Sequence, residues 1–298
     1  MFSWCLFIYT FMDYNYIEVN KSFFPTHCLN YPADSKIEVR MLTVGDAKLL
    51  AMLDESNATA ILNQIVKRCT RLTNLTFDEL YLADRDYLLF YIRSGSFVAS
   101  DNAFKFKIEQ CANCGHPATF DIKLDDIQLD EIKSFCENFN ILGKNITIRP
   151  PRIRDKQYNL KDIELTRLLN YTDIAEVFGS VEAAITNVLQ LDAMNYVLLT
   201  SKVNNMKCGI REELLVNCPT CGNQINLKWH FEEIDLLGKI DIRGLLRSIL
   251  GIAKYTHYQI TDDMLYAEYQ LMEQLTEKMI ADENKAYENA NGITTFTN

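Results

Sequence analysis

Two short cysteine motifs constrain the fold of this sequence more than any other feature. Cys111 and Cys114 form one Cys-x-x-Cys-Gly motif, and Cys218 and Cys221 form a second with the same spacing. The two intervening residues let both sulfurs of a motif face one ion, and the glycine permits the tight turn that this geometry needs. Alternating apolar and polar residues flank both motifs, which is typical of strands. We therefore predict that all four cysteines bind one metal ion.

The predicted ion is a structural Zn²⁺. Four thiolates complete a tetrahedral shell and leave no open position for water or substrate. Iron also accepts four thiolates, but nothing in the sequence indicates electron transfer, and this favours zinc. His116 and His230 are alternative ligands, although each is better interpreted as an ordinary histidine.

Two other interpretations of the motifs stay open from the sequence. Both motifs could be turns that bind no metal, or they could be redox-active thiol pairs. A redox pair is expected to open a helix, where the thiolate is stabilised. Both motifs here lie between predicted strands, which favours the metal site.

The remaining cysteines indicate a reducing compartment. The chain has nine cysteines in 298 residues and no export signal, whereas disulfide frameworks are typical of small secreted domains. We expect the five cysteines outside the motifs to be small buried apolar residues: Cys5, Cys28, Cys69, Cys136 and Cys208.

The N-terminal segment 1–11 is apolar and contains no lysine or arginine. A secretory signal needs a positive start and a small-residue cleavage site, and a membrane helix needs roughly 20 apolar residues. We therefore predict a soluble protein without a membrane partner. Its translation begins at Met1 or at Met12.

Three pairs of segments resemble each other at an offset of 107 to 109 residues and occur in the same order. The pairs are 36–46 with 145–155, 86–92 with 195–201, and 111–129 with 218–236. One such match could arise by chance, but three in the same order indicate an internal duplication.

The predicted fold class is therefore α+β. Two duplicated halves, each with helices and a zinc knuckle, share the four-cysteine zinc site, and a helical C-terminal section follows. The predicted boundaries are an apolar N-terminal extension at 1–22, a first repeat at 23–130, a linker at 131–144, a second repeat at 145–238, and C-terminal helices and tail at 239–298.

Apolar residues at helical spacing predict the helices. Their predicted ranges are 44–54, 56–70, 76–93, 160–170, 172–178, 180–189, 190–203, 241–254 and 262–287. Thr76 and Glu79 form a predicted capping box at the start of the third helix, and Thr261 is predicted to cap the last. We interpret the run from Asp84 to Asp86 as an ion-paired helix face.

The charge of the chain argues against one class of partner. A formal net charge of −10 disfavours a protein that binds nucleic acid by broad phosphate neutralisation, because such proteins need a basic face. A local basic cluster at Arg149, Arg152, Arg154 and Lys156 is interpreted as a solvated loop.

No enzymatic motif is present in the sequence. It contains no phosphate-binding glycine-rich loop, no Gly-x-Ser-x-Gly and no His-Glu-x-x-His. Paired carboxylates at 125–126 and 232–233 could perform acid–base chemistry, but at a strand exit they are more typical of a solvated edge. We predict that the protein is not an enzyme, with no catalytic residue and no organic cofactor.

Several of these segments together resemble a known family, the T4-like phage baseplate hub assembly proteins. One is 23–51, with a proline-led loop, a short strand ending in arginine and a Leu-Thr-x-Gly helix start. Another is 76–97, an acidic and apolar helix that runs into an arginine and a small-residue turn. The first cysteine knuckle and its following strand complete the resemblance, which covers approximately residues 23–130.

This resemblance implies a role in building the hub at the centre of a contractile-tail baseplate, by protein–protein contact and without catalysis. The implied partners are baseplate hub and tail proteins. The implied location is the host cytoplasm during assembly, and the virion tail if the protein stays in the particle. Candidate contact surfaces are the apolar N-terminus and the predicted helices at 76–93 and 262–287.

Two rival functions belong to other classes. A zinc-ribbon protein that binds nucleic acid or regulates transcription would be retained on heparin and released by salt. The acidic composition predicts weak retention, so nucleic acid is not an expected partner. A thiol oxidoreductase would show reactive Cys-x-x-Cys thiols in the metal-loaded protein.

Overall fold

The computed structural model describes residues 16–54, 56–98, 104–123, 126–130, 132–134, 136–211, 213–228 and 240–290. Several sequence-based predictions fall on other residues. These are the apolar segment 1–11, Cys5, Asp125, His230, the acidic pair at 232–233 and the tail after residue 290.

Helices and short antiparallel strands alternate along the described chain. The helices are α1 (Val44–Leu50), α2 (Ala58–Cys69), α3 (Leu82–Ser96), α4 (Ile163–Tyr171), α5 (Ile174–Phe178), α6 (Val181–Leu189), α7 (Ala193–Asn205), α8 (Ile242–Thr256) and α9 (Tyr266–Ala290). The strands are β1 (Ile17–Glu18), β2 (Lys36–Val39), β3 (Thr70–Thr73), β4 (Phe104–Ile108), β5 (Ala118–Ile122), β6 (Leu129–Asp130), β7 (Glu137–Ile141), β8 (Lys144–Ile148), β9 (Gly209–Ile210), β10 (Glu213–Asn217) and β11 (Gln224–Lys228). The predicted combination of helices with strands is confirmed. Within the described ranges, no helix is both long and apolar enough to cross a membrane.

Two of the predicted helices begin later than their capping threonines indicate. Thr76 and Glu79 do form the predicted capping box, but it closes a single 3₁₀ turn at Phe77–Glu79, and α3 begins only at Leu82. Likewise α9 begins at Tyr266, not directly after Thr261. In both places the residues just before the helix are extended and pair with a distant segment.

The chain divides into two compact units that each combine non-consecutive segments. The described residues of the first unit fall in the ranges 1–40, 67–84 and 132–207, and those of the second fall in 41–66, 85–131 and 208–298. These units are defined by contacts and do not test the sequential domain boundaries, which stay a prediction. The segment 131–144, predicted as a linker, contains strand β7.

The first unit has a sheet of order β1-β2-β3 and a hairpin formed by β7 and β8. Both hairpin strands alternate buried and more exposed residues, as expected for a strand with one face on a core. Phe139, Ile141, Ile146 and Ile148 on that face pack with buried residues of α4 to α7. This cluster is the apolar core of the first unit.

The second unit contains the two hairpins that carry the cysteine motifs. Strand β4 pairs with β5, and β10 pairs with β11, each over five residue pairs in antiparallel register. A shorter pair joins β6 to β9. Helices α8 and α9 pack on each other, and α1 contacts α9.

Each unit also contains one set of three long-range backbone hydrogen bonds, and the two sets match. In the second unit, segment 42–45 bonds to segment 262–266: Val44 N to Met264 O (2.9 Å), Gly45 N to Asp262 O (2.8 Å) and Tyr266 N to Leu42 O (2.9 Å). In the first unit, segment 151–154 bonds to segment 78–82: Ile153 N to Leu80 O (2.9 Å), Arg154 N to Asp78 O (3.1 Å) and Leu82 N to Pro151 O (3.0 Å). The second set repeats the first at constant offsets. In each set one segment leads into a long helix, α9 for 262–266 and α3 for 78–82.

Candidate metal centre

The first cysteine motif forms the turn of the β4–β5 hairpin. The Cys111 N–H donates to the His116 carbonyl at 2.8 Å, and the Gly115 N–H donates to the Cys111 carbonyl at 2.8 Å. Gly115 has a φ of +72°, in the left-handed region that favours glycine. The turn therefore holds Cys111 and Cys114 on the same side of the hairpin end.

The second motif repeats this turn in the β10–β11 hairpin. The Cys218 N–H donates to the Asn223 carbonyl at 2.8 Å, and the Gly222 N–H donates to the Cys218 carbonyl at 2.8 Å. Gly222 has a φ of +73°. The predicted role of glycine after each motif is thus seen at both sites.

All four predicted ligands lie together in the second unit. Their Sγ atoms lie within 4.8 Å of one another, with 3.9 Å between Cys111 and Cys221 and 3.8 Å between Cys114 and Cys218. A tetrahedral ion with metal–sulfur bonds of about 2.3 Å requires sulfur–sulfur distances of about 3.8 Å. A disulfide requires about 2.05 Å, so the sulfurs are spaced for a shared ion and not for S–S bonds.

The four thiols differ in exposure. Cys111 and Cys218, the first cysteine of each motif, are buried, whereas Cys114 is half-buried and Cys221 is exposed. The cluster thus lies at the surface, with one pair of sulfurs covered by the hairpins and the other towards solvent.

Amide groups next to the sulfurs stabilise thiolates at two positions. The side chain of Asn113, whose Nδ2 lies 3.5 Å from the Cys221 sulfur, and the Asn223 N–H lower the pKa of Cys221 to about 6. The backbone N–H groups of Cys114 and Asn113 lower the pKa of Cys111. Metal ligation by cysteine requires the thiolate, so these amides favour the form that binds an ion.

The charge of the cluster limits how many thiols can ionise without a cation. At Cys114 the backbone of His116 lowers the pKa, but desolvation and the neighbouring thiols outweigh it and raise the pKa to about 11. A divalent cation would neutralise two of the four negative charges and allow the remaining thiols to ionise. The donor set and its spacing therefore fit Zn²⁺ or an iron ion.

Asn113 is a member of the site that the spacing of the cysteines did not reveal. It lies between the ligands of the first motif and contacts a sulfur of the second. A polar residue inside the motif was a visible signal, but its contact depends on how the hairpins face each other. The alternative ligand His116 directs Nδ1 to the Cys114 carbonyl at 2.9 Å and lies at the exposed turn.

The other predicted functional residues are not brought to the cysteine cluster. Arg149 forms two contacts with the carboxylate of Asp155, at 2.5 and 2.9 Å, and the guanidinium of Arg152 lies 5.2 Å from the ring centre of Tyr81. These two members of the basic cluster therefore have contacts within the first unit. Cys28, Cys69 and Cys208 are buried as predicted, whereas Cys136 is exposed, which corrects its predicted burial.

A second polar cluster surrounds a carboxylate at the start of α3. Asp84 is fully buried and accepts hydrogen bonds from Thr26 Oγ1 (2.6 Å), the Thr26 N–H (3.2 Å) and the Tyr31 hydroxyl (2.8 Å). Burial raises the pKa of Asp84 to about 6, although these hydrogen bonds act in the opposite direction. The predicted ion-paired face is present only at Arg85 and Asp86, which lie 2.6 Å apart.

Comparison with known families gives a match over much of the chain. The model of a family described as T4 bacteriophage base plate protein matches residues 25–216. Comparisons with curated proteins and with solved structures find no match. The matched range includes the first cysteine motif and stops two residues before Cys218.

Proposed function

The chain belongs to the T4 bacteriophage base plate protein family, and from this premise we propose that it is a non-enzymatic tail protein that binds other tail proteins while the baseplate hub is assembled. It acts in the host cytoplasm during assembly, either as a component that stays in the virion tail or as an assembly chaperone that leaves. The observation that carries this proposal is the family match, which extends over 25–216.

The absence of catalysis is part of the proposal, and two features support it. A tetrahedral ion held by four cysteines has no open coordination position for a substrate. The buried Asp84 already accepts three hydrogen bonds from protein donors. Both clusters therefore resemble structural polar groups more than reaction centres.

We propose that the cysteine cluster binds one structural Zn²⁺. The support is the agreement between the measured sulfur distances and the edge of a zinc–thiolate tetrahedron. Metal analysis of protein expressed without added iron, with one zinc per chain expected, distinguishes zinc from iron. One iron per chain would replace zinc in the proposal, and no metal would overturn it.

We also propose that the chain arose by duplication of a helix-plus-knuckle half. The two hairpins have equal turn hydrogen bonds and nearly equal glycine φ angles, and the two long-range hydrogen-bond sets follow the same pattern. Segment 151–154 of one set follows segment 42–45 of the other by 109 residues, the offset that two of the sequence matches also have. The partner segments 78–82 and 262–266 do not keep this offset: they make the start of α3 equivalent to the start of α9, whereas the sequence match of 86–92 with 195–201 relates α3 to α7.

Quantitative mass spectrometry of purified particles and of infected-cell lysate tests the proposed function. A fixed low ratio to tail proteins in particles identifies a virion component. Abundance in tail intermediates with absence from particles identifies an assembly factor. Association with neither would overturn the tail role and leave the nucleic-acid-binding zinc ribbon as the next hypothesis.

Complementation then tests whether the metal site serves this role. A phage with a stop codon in the gene is supplied in trans with the wild type, with Cys218→Ser/Cys221→Ser, or with Cys136→Ser. We expect the wild type and Cys136→Ser to restore complete baseplates, because Cys136 is an exposed cysteine outside the cluster. Restoration of complete baseplates by the double variant would show that the tail function does not require the metal site.

A further inference from the structure

An open cleft lies between the two cysteine hairpins in the second unit. It has a volume of about 420 Å³ and is lined along one side by β5 and along the other by β10. Residues 119–122 and 214–217 form most of its walls, so each wall is one strand of a hairpin.

Each wall is also the outer edge of a two-stranded sheet. In the described part of the chain, β5 pairs with β4 and β10 pairs with β11, and no third strand extends either sheet. The edge of a β-sheet presents N–H and C=O groups that can pair with another strand. Here two such edges line the same cleft.

The side chains of the cleft select for a particular kind of strand. Phe120 and Leu214 are largely buried, whereas Leu215 is 61% exposed and offers an apolar contact. Asp121 and Asp126 add two carboxylates, and none of the described residues that line the cleft is cationic. A strand that alternates apolar and basic residues would match both the apolar surface and the negative charge.

We propose that this cleft binds an extended segment of another protein by β-strand addition, and that the segment alternates apolar residues with lysine or arginine. The backbone of the segment pairs with the edge of β5 or β10, and its basic side chains face Asp121 and Asp126. The formal net charge of −10 disfavours a second copy of this chain as the occupant, because the copies repel each other. Only the source of the segment, a partner tail protein, rests on the proposed function.

The metal site connects directly to this binding mode. The four cysteines lie in the turns of the β4–β5 and β10–β11 hairpins. An ion bound by all four would therefore fix the positions of the two hairpins that form the walls of the cleft. We therefore expect strand binding to require the metal-loaded protein.

The test uses the full-length, zinc-loaded protein and a fluorescein-labelled nine-residue peptide of alternating valine and lysine. Fluorescence anisotropy measures the affinity, and hydrogen exchange measures protection of the amides at 118–122 and 214–217. We expect saturable binding, and slower exchange at one or both segments. Binding without any change at these amides would overturn the proposal.

Three matched peptides test the chemistry while the protein stays unchanged. Two of the peptides carry N-methyl groups, one on the odd-numbered residues and the other on the even-numbered residues, so each lacks the backbone donors along one edge. At least one of these two should bind about tenfold more weakly than the unmethylated peptide. Replacing lysine by glutamate should also weaken binding about tenfold or more, and salt should reduce the difference. Equal binding by all of these peptides would exclude strand pairing and charge selection.

Two protein variants locate the contact. Leu215→Lys places a cation in the cleft and should weaken peptide binding, whereas Leu250→Lys changes a comparably exposed leucine of α8 and should not. If the free protein already shows slow exchange at both wall segments and binds no peptide, its own residues occupy the cleft and the proposal is wrong. Protection that grows with protein concentration would instead identify a second copy as the occupant, and would also overturn it.

The proposed function can fail separately from the cleft. If the valine–lysine peptide binds with protection but the protein follows neither tail intermediates nor particles, the strand site stands and the tail role falls. If the protein follows tail intermediates but Leu215→Lys leaves both peptide binding and this association unchanged, the tail role stands and the strand site falls.

Discussion

The β7–β8 hairpin and the two cysteine hairpins are similar local structures that are stabilised in different ways. Phe139 and Ile141 of β7 and Ile146 and Ile148 of β8 pack into an apolar core with four helices. Among the described side chains of β10 and β11 only Leu214 and Leu227 are buried, and each cysteine hairpin is, like β7–β8, a sheet of two strands. Because an isolated two-stranded hairpin is marginally stable in water, the cysteine hairpins need a stabilising element other than apolar burial.

Removal of the metal ligands should produce the largest difference in stability between the cysteine hairpins and the β7–β8 hairpin. We expect Cys218→Ser/Cys221→Ser to lose zinc and to lose amide protection at 213–217 and 224–228, while 137–148 stays protected. Structural zinc sites contribute on the order of 10 kcal/mol of apparent binding free energy, which exceeds the loss expected from truncating one buried side chain. Metal analysis and hydrogen exchange measure both effects.

Cys136→Ser is the matched control, because this exposed cysteine lies outside the cluster. It should keep one metal per chain and wild-type protection. Full zinc content in the double variant would show that the four cysteines do not share the ion.

A cavity in the apolar core should lower stability by less than the loss of the metal ligands, and it should affect the first unit. Leu199 of α7 is fully buried in the core cluster, and Leu199→Ala should lower the free energy of unfolding by about 2–5 kcal/mol. The neighbouring Leu198 is 47% exposed, so Leu198→Ala should cost about 1 kcal/mol or less. Denaturant titration measures both, and zinc content should not change. Equal losses from the two leucines would contradict the assigned core.

The buried Asp84 gives the first unit a pH dependence that the metal site does not share. Its pKa is raised from 3.8 to about 6 in the folded protein, so the folded state binds a proton more tightly than the unfolded state. The carboxylate therefore destabilises the fold above pH 6, and stability is gained as pH falls from 7 towards 4. A shift of this size corresponds to up to about 3 kcal/mol.

Asp84→Asn tests this sign. Relative to the variant, the wild type should gain stability as pH falls through 6, measured by denaturant titration between pH 7 and 5. Carboxylates with lowered pKa values, such as Glu137 and Asp155, lose their contributions only at lower pH. Parallel pH profiles for the wild type and the variant would show that Asp84 titrates normally.

Substitution of the glycines in the two cysteine turns should change stability the least. Gly115 and Gly222 have positive φ and no atom within 4 Å of an added Cβ, so alanine there costs only backbone strain of about 1–2 kcal/mol. Both substitutions should weaken zinc binding in a chelator competition by similar amounts, because the turns are equal. Gly251→Ala in α8 also enters open space and should stabilise the helix slightly. Unequal effects at Gly115 and Gly222 would argue against equivalent knuckles.

The cysteine cluster is accessible from sequence because its geometry is mostly local. Spacing within each motif and the glycine after it define the turn, and the flanking alternation defines the hairpin. Only the meeting of the two motifs is long-range, and the predicted duplication points to it. The contact of Asn113 with Cys221 depends on the facing hairpin, so the polar residue inside the motif does not predict it by itself.

The starts of α3 and α9 show where local signals fail. Thr76 and Thr261 both look like helix caps, yet each is followed by an extended residue that pairs with a distant segment. The interpretation of Asp84 is wrong for a related reason: its place in the helix suggests an ion-paired face, but Thr26 and Tyr31 bury it and donate hydrogen bonds to it. In each case a partner far away in sequence outweighs the local preference.

The hydrogen bonds between 42–45 and 262–266 have a consequence for synthesis of the protein on the ribosome. The carbonyl of Met264 becomes available 220 residues after Val44 has been added. At about 5–20 residues per second, the early segment waits roughly 10 to 45 seconds for its partner. The first unit needs no residue beyond 207, so it can fold while the second is still incomplete. A nascent chain would therefore present the finished core of the first unit while the backbone groups of segment 42–45 still lack their partners.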